Sequence, residues 1–272
     1  MSKEPTMHPP ESIYQPPVFA DYARYYDLLN RDKDYAAEAD YVAGLIRKFH
    51  PSGRSILELG SGTGIHASLL AGKGFTVHGI ERSEEMINIA RSNASSFSQS
   101  PTRSECVFSR GDIREVRLRQ SFDAVIALFH VISYQTANKD VVAAFETARQ
   151  HLKPGGVFIF DVWYGPAVLT EWPEVRIKRM KNEKVEITRL AEPVLHPNEN
   201  TVDVNYHIFV RDRATNAVKE LRETHVMRFF FKPEMEITAA QQGFTVLHTE
   251  EWMTGSPIGQ NTWGACFVLK TL

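Results

Sequence analysis

From residue 55 onward, short and almost continuously apolar runs alternate with segments whose apolar residues recur at helical spacing. Runs at 55–59, 76–81, 105–109, 122–128 and 156–161 read as strands, and segments 64–73, 84–96 and 139–151 between them as amphipathic helices. That order predicts a parallel sheet with right-handed crossovers. Upstream, the aromatic cluster Tyr22–Tyr26, then Asp34-Tyr35 and the amphipathic stretch 36–49, predict one or two helices covering the sheet, stopped by Pro51-Ser52-Gly53.

After residue 170 the period shortens to two. Segments 175–179, 184–190, 201–211 and 218–231 alternate apolar and polar residues between Asn, Pro and Gly turn signals, which predicts antiparallel strands. A short helix over 233–242 ends at Gly243, and 244–252 with 262–269 would close the main sheet as an edge hairpin. The expected organisation is a flexible, proline-rich arm over 1–21, a main α/β unit over 22–170 and 232–272, and an inserted antiparallel β-subdomain over 171–231. Within the insertion, the run Phe229–Phe231 reads as core or interface.

Composition narrows the class. A chain of 272 residues accommodates one domain with an appendage, and a formal charge of −2 with mixed signs gives no basic field for nucleic acid. No uncharged apolar run approaches the ~20 residues of a membrane span, and the N-terminus lacks a signal-peptide layout. Cys106 and Cys266 are the only cysteines, so no disulfide framework is written here, and with no acidic ligand cluster no metal site is expected. The expectation is a cytoplasmic protein without nucleic-acid or membrane partners. A homodimer, the commonest closed oligomer, would form through the insertion or the aromatic N-terminal cluster.

The chemistry begins at Ile56-Leu57-Glu58-Leu59-Gly60-Ser61-Gly62-Thr63-Gly64, a strand ending in three alternate glycines before a helix. Such a turn brings backbone close to a nucleoside ligand. A dinucleotide fingerprint needs its third glycine at position 65, where Ile65 stands, which weighs against an NAD-dependent oxidoreductase.

With Glu81 at the end of the second strand, Gly111-Asp112-Ile113, Phe122-Asp123-Ala124-Val125 and Leu152-Lys153-Pro154-Gly155-Gly156, the ordered set resembles the class I S-adenosylmethionine-dependent methyltransferases. The resemblance implies a doubly wound, seven-stranded Rossmann-like sheet and S-adenosyl-L-methionine as cofactor. It places Gly60, Ser61, Gly62 and Gly64 in the cofactor loop, Glu81 on the ribose hydroxyls with Arg82 and Met86 after it, Asp112 near the adenine amine and Ile113 against the ring. Leu128 joins this set, and the hydroxyls of Tyr26 and Tyr35 suit the methionyl carboxylate. Glu58 either organises the loop and approaches the cofactor's amino group or is a structural acid, Asp112 has the alternative of a helix cap, and 152–156 reads as a turn.

A narrower likeness concerns the acceptor. Tyr25-Tyr26-Asp27-Leu28-Leu29 with Lys33-Asp34-Tyr35, Phe129-His130-Val131-Ile132-Ser133-Tyr134 and Asp161-Val162-Trp163-Tyr164, together with the insertion, resemble the N,N-dimethyltransferases of nucleotide-linked amino sugars such as desosamine and mycaminose precursors. His130-Val131 departs from the serine pair more usual there. The likeness implies methyl transfer to the amine of a small-molecule acceptor, with His130 and Tyr26 as candidate catalytic residues and Tyr22, His130, Tyr134, Trp163 and Tyr164 as candidate acceptor contacts. His130 would act as a base or as a positioning group; Trp163 and Tyr164 would wall the acceptor or pack the insertion. Methylation of oxygen or carbon in another metabolite, and binding of the cofactor without turnover, are the alternatives.

Overall fold

The computed structural model describes residues 22–97 and 105–272; the expected arm over 1–21 and the end of the serine-rich stretch over 92–100 lie outside the described residues. In chain order the elements are α1 (Ala23–Leu29), α2 (Tyr35–Phe49), β1 (Ser55–Leu59), α3 (Ile65–Gly72), β2 (Thr76–Glu81), α4 (Glu84–Phe97), β3 (Cys106–Arg110) and β4 (Phe122–Ala127). A 3₁₀ turn (Val131–Tyr134) precedes α5 (Asn138–His151), β5 (Leu152–Tyr164) and α6 (Gly165–Glu171). Then come β6 (Arg176–Lys181), β7 (Val185–His196), β8 (Thr201–Asp212), β9 (Val218–Phe230), α7 (Lys232–Gln241), β10 (Phe244–Glu251) and β11 (Gly264–Thr271).

The main sheet runs β3-β2-β1-β4-β5-β11-β10, with β1 to β5 parallel and β11 antiparallel to both neighbours. Its central strands are largely apolar because both faces are covered, with the buried acids Glu58 of β1 and Asp161 of β5 as exceptions. Leu57, Leu59, Phe158 and Phe160 point into one core with Phe145 and Phe244, while Ile56, Val157 and Ile159 point into the other with Leu70 and Phe75. Chain order reverses beside β1, whose neighbours are β2 and β4, so a crevice opens at the carboxyl ends of these strands. Over that end lies α1, while α2 packs its apolar side into the second core; α2 starts where the Asp34 side chain accepts a hydrogen bond from Ala37 N at 2.9 Å.

β6 to β9 form an antiparallel meander joined to the main sheet where Trp163 and Tyr164 of β5 pair with Phe229 and Phe230 of β9. Eleven strands among the described residues thereby share one continuous sheet. Two short elements escaped the sequence pattern, the 3₁₀ turn and α6, each too brief to show a helical period. The expected turn at 152–156 is instead part of β5: pairing jumps from Phe122↔Leu152 to Ala124↔Val157, and the intervening residues bulge out through Gly155 at φ +75°.

Candidate active site

A cavity of about 1400 Å³ occupies the crevice, walled by the glycine loop, the ends of β1, β2, β4 and β5, helix α1 and one face of the insertion. Gly60 (φ +73°) has no room for a side chain, since a Cβ would come within 2.6 Å of Val131. Gly62 (φ +53°) faces open space, with Met86 Sδ at 3.9 Å from a Cβ position. The loop is pinned to β2, Gly60 N and Ser61 N both donating to Ile80 O at 2.8 and 2.9 Å.

Glu81 stands behind the loop. Its Oε2 accepts from Gly62 N at 3.0 Å and its Oε1 from Arg82 N and Ser83 N, each at 2.8 Å, so the carboxylate is fixed by backbone donors and keeps lone pairs for a ligand. Beside it Glu58 is buried with Oε2 unpartnered, and burial first, then the charge of Glu81, pushes its pKa up to about 8. Asp112 is held by Arg114, whose Nε and Nη2 lie 2.9 and 2.6 Å from its two oxygens, and that pairing keeps its carboxyl below the usual range. Thr63 Oγ1 donates to Asp27 of α1 at 2.6 Å, which ties the helical cover to the glycine loop. Tyr26 and Tyr35 line the same end, and burial raises the pKa of both hydroxyls, which stay neutral donors.

Across the cavity, Phe129 and His130 adopt consecutive left-handed conformations at φ 61° and 63°, typically about 1–3 kcal/mol each for non-glycine residues. Asp161, buried on β5, holds this turn by accepting from His130 N at 3.1 Å. His130 Nδ1 lies 2.7 Å from Asp161 Oδ2 without hydrogen-bond alignment, so Nδ1 and Asp161 Oδ1 both remain without a hydrogen-bond partner. Ser133 Oγ accepts from Trp163 N at 3.0 Å and locks the adjoining wall. Tyr134 Oη meets His225 Nδ1 of β9 at 2.9 Å, and Tyr22 stacks on Tyr206 of β8 at 5.8 Å.

Tyr22, Tyr26, Tyr35, Glu58, Gly60, Ser61, Gly62, Glu81, Arg82, Met86, Asp112, Ile113, Leu128, His130, Tyr134 and Trp163 all line the cavity. Gly64 and Tyr164 do not. A Cβ on Gly64 would meet Phe108 at 2.6 Å and Ala90 at 2.9 Å, so this glycine permits close helix packing. Tyr164 follows Trp163 on a strand and points to the opposite face, into the core with Phe230 and Met235.

The donor set fits S-adenosylmethionine: a carboxylate at the second strand end for a ribose diol, an open glycine turn, and the orphan oxygen of Glu58 toward a cationic group. A family profile described as a methyltransferase domain matches residues 56–156. The chain is 30% identical, over 88% of its length and 95% of the relative's, to a dTDP-3-amino-3,4,6-trideoxy-alpha-D-glucopyranose N,N-dimethyltransferase of Streptomyces venezuelae. It belongs to the S-adenosylmethionine-dependent methyltransferases. A second relative in this methyltransferase family, the dTDP-3-amino-3,6-dideoxy-alpha-D-glucopyranose N,N-dimethyltransferase of Streptomyces fradiae, is 29% identical over 89% of the chain and 90% of its own. The crystal structure of Streptomyces venezuelae DesVI superposes with a TM-score of 0.75 at 27% identity, covering 93% of this methyltransferase and 99% of that chain.

Sequence reasoning gave no role to Asp161, Arg189, Tyr206 or His225, which the fold brings to the methyltransferase's cavity or against His130. The acid after the fifth strand was a readable signal for Asp161. The other three carry no motif; only strand register assembles them on one face.

Proposed function

We propose that this methyltransferase N-methylates a small amine, the amino group of a nucleotide-linked sugar. The observation that carries the reading is the His130 and Asp161 pair at the seam between the cofactor loop and the insertion: an imidazole that lines the cavity, its Nδ1 2.7 Å from a buried carboxylate oxygen. Two relatives that align over most of the chain carry names as amino-sugar N,N-dimethyltransferases, which supports the acceptor class.

When bound, the cofactor supplies a methyl group on a positively charged sulfur: the acceptor nitrogen gives its lone pair to form the N–C bond as the C–S pair returns to sulfur. The protein's work is alignment, exclusion of water and removal of one N–H proton. Glu81 and the glycine turn hold the nucleoside end. Tyr26 and Tyr35 present neutral hydroxyls to the carboxylate end. His130, held in a strained turn by Asp161, faces the amine and takes or orients its proton, while Tyr22, Tyr134, Trp163 and the inner face of 171–231 wall the sugar side. Cys266 stands as a thiol in the core, which supports a cytoplasmic setting. Exposed Ile177 and Val194 on the insertion's outer face support pairing of two copies there.

A screen tests the acceptor class. Nucleotide-linked amino sugars, their hydroxy counterparts and free amino sugars are incubated with S-adenosylmethionine and products are weighed by mass spectrometry. Methylated product from amino but not hydroxy sugars supports the reading; methylation of the hydroxy series alone overturns it in favour of an O-methyltransferase.

A further inference from the structure

Beyond His130 in the chain, the cavity wall holds a second ordered set of proton-handling groups that the function above leaves unused. Tyr134, at the end of the 3₁₀ turn, lines the cavity, and its Oη lies 2.9 Å from His225 Nδ1. His225 Nε2 in turn lies 3.2 Å from Glu223 Oε2. Glu223 and His225 occupy alternate positions on β9, so they share one face of the strand, and both are buried. An ionised acid only accepts, so Glu223 sets the imidazole proton on Nε2 and leaves the Nδ1 lone pair to accept from the Tyr134 hydroxyl. Glu223 is itself oriented, its Oε1 accepting from Tyr22 N at 3.2 Å. The rings of Tyr206, Tyr22 and Tyr134 lie steeply inclined to the imidazole, with centroids at 4.8, 5.7 and 5.8 Å, and fix its plane. Arg189, the cation of neighbouring β7, donates to Tyr22 Oη at 3.0 Å and lies 4.7 Å over the Tyr206 ring, whereas His225 pairs with Glu223. Burial, then the Tyr206 and Tyr22 hydroxyls and the charges of Glu223 and Glu81, hold the Tyr134 pKa well above its ordinary value, so its phenol gives up a proton only as another arrives. Hydroxyl, imidazole and carboxylate in this order, each within hydrogen-bond reach of the next, are the arrangement that makes a base of an oxygen. His130 Nδ1 makes no such aligned bond to Asp161.

Resting on the acceptor reading above, we infer that Tyr134, His225 and Glu223 form a proton relay that draws a proton from the acceptor's ammonium group, which leaves His130 to orient the amine. An alkyl amine in neutral water is largely protonated and has no lone pair to give. One N–H proton passes to Tyr134 Oη as the phenol's own proton passes to His225 Nδ1. The amine becomes neutral and keeps the electron pair of that N–H bond, Tyr134 remains a phenol, and His225 becomes an imidazolium held by the Glu223 carboxylate. When product leaves, the proton returns from Nδ1 through Tyr134 to water in the cavity, and the relay is reset. Tyr134 is the catalytic group of the three; His225 and Glu223 act through it.

The test is steady-state kinetics of the full chain with S-adenosylmethionine and a nucleotide-linked amino sugar, run from neutral pH to about pH 10, where the amine is deprotonated in bulk water. Wild type is compared with Tyr134→Phe, Glu223→Gln, His225→Gln and His130→Asn. Near neutral pH the three relay variants should lose about 100-fold in kcat/KM, the low end of acid–base contributions. That loss should shrink by about tenfold per unit of pH as solvent takes over the deprotonation. His130→Asn should lose the same fraction at every pH, as befits an orienting group. Calorimetry with S-adenosylhomocysteine should give the wild-type affinity for all four, which separates a lost relay from a damaged fold. A loss in Tyr134→Phe and Glu223→Gln that is equal at every pH, or no loss at all, overturns the relay and leaves a packing network. Should the β9 variants fail to fold, Tyr134→Phe, which keeps its ring in the wall, decides by the same criterion. A wild type that methylates nucleotide-linked amino sugars while Tyr134→Phe follows its pH profile unchanged refutes the relay alone, whereas a wild type inert toward every such sugar removes the acceptor reading beneath it.

Discussion

Glu58 has a buried carboxyl oxygen without a partner, and burial with the neighbouring charge of Glu81 moves its pKa from an ordinary 4.5 up to about 8. In the unfolded chain the group ionises near its ordinary value, while the folded protein keeps the proton until about pH 8. Its contribution to stability is therefore present below the ordinary value and lost as pH rises through the interval to about 8. Glu58→Gln should flatten the fall in Tm of the ligand-free protein across that interval; parallel curves for the two proteins would contradict the buried neutral acid. Glu81 is the opposite case, a carboxylate receiving three backbone N–H groups. Glu81→Ala should raise the Kd for S-adenosylmethionine by about 10- to 100-fold in calorimetry, since it removes charged hydrogen bonds and loosens the loop. His130→Asn should lower kcat by up to about 100-fold, the low end of acid–base contributions, with cofactor affinity unchanged in the same titration.

At the scale of elements, the glycine turn and the strained turn face each other: a Cβ on Gly60 would strike Val131, the residue after His130. The family motif grouped Gly60, Gly62 and Gly64 as cofactor residues, and packing sets Gly64 apart, since a Cβ there would meet Phe108 and Ala90. Gly64→Ala should accordingly act on folding first. Its left-handed φ and the overlap cost about 2 kcal/mol or more, a fall in Tm of several degrees by circular dichroism. An unchanged Tm with weakened cofactor binding would return Gly64 to the ligand site. The parallel strands were readable because burial on both faces leaves continuous apolar runs, and α2 because Asp34 caps it. The 152–156 bulge was not, since a turn-like Pro-Gly-Gly stretch reads alike whether it ends a strand or bows out of one.

For the whole molecule, the sequence carried the cofactor half of the site much further than the acceptor half. Glu58, the glycines and Glu81 lie within one local strand–loop–helix–strand unit, whose spacing is a sufficient guide. The proposed acceptor wall is assembled from β5, the 3₁₀ turn and β7 to β9, and its register is set by the distant pairing of Trp163 with Phe229. Tyr206, His225 and Arg189 reach the cavity only through that register, so no local pattern announces them. Adjacent Trp163 and Tyr164 looked equivalent in the chain, and the pleat assigns one to the cavity and the other to the core. On the function proposed above, the two halves together make a chamber in which an activated methyl group and an amine would meet beside His130. The most direct measurement of that claim is to supply S-adenosylmethionine carrying a carbon-labelled methyl group with a nucleotide-linked amino sugar and follow the label by nuclear magnetic resonance. The account predicts label on the sugar nitrogen, with one S-adenosylhomocysteine formed per methyl transferred; label on oxygen or carbon, or cofactor that binds and is never consumed by any amino sugar, would contradict it.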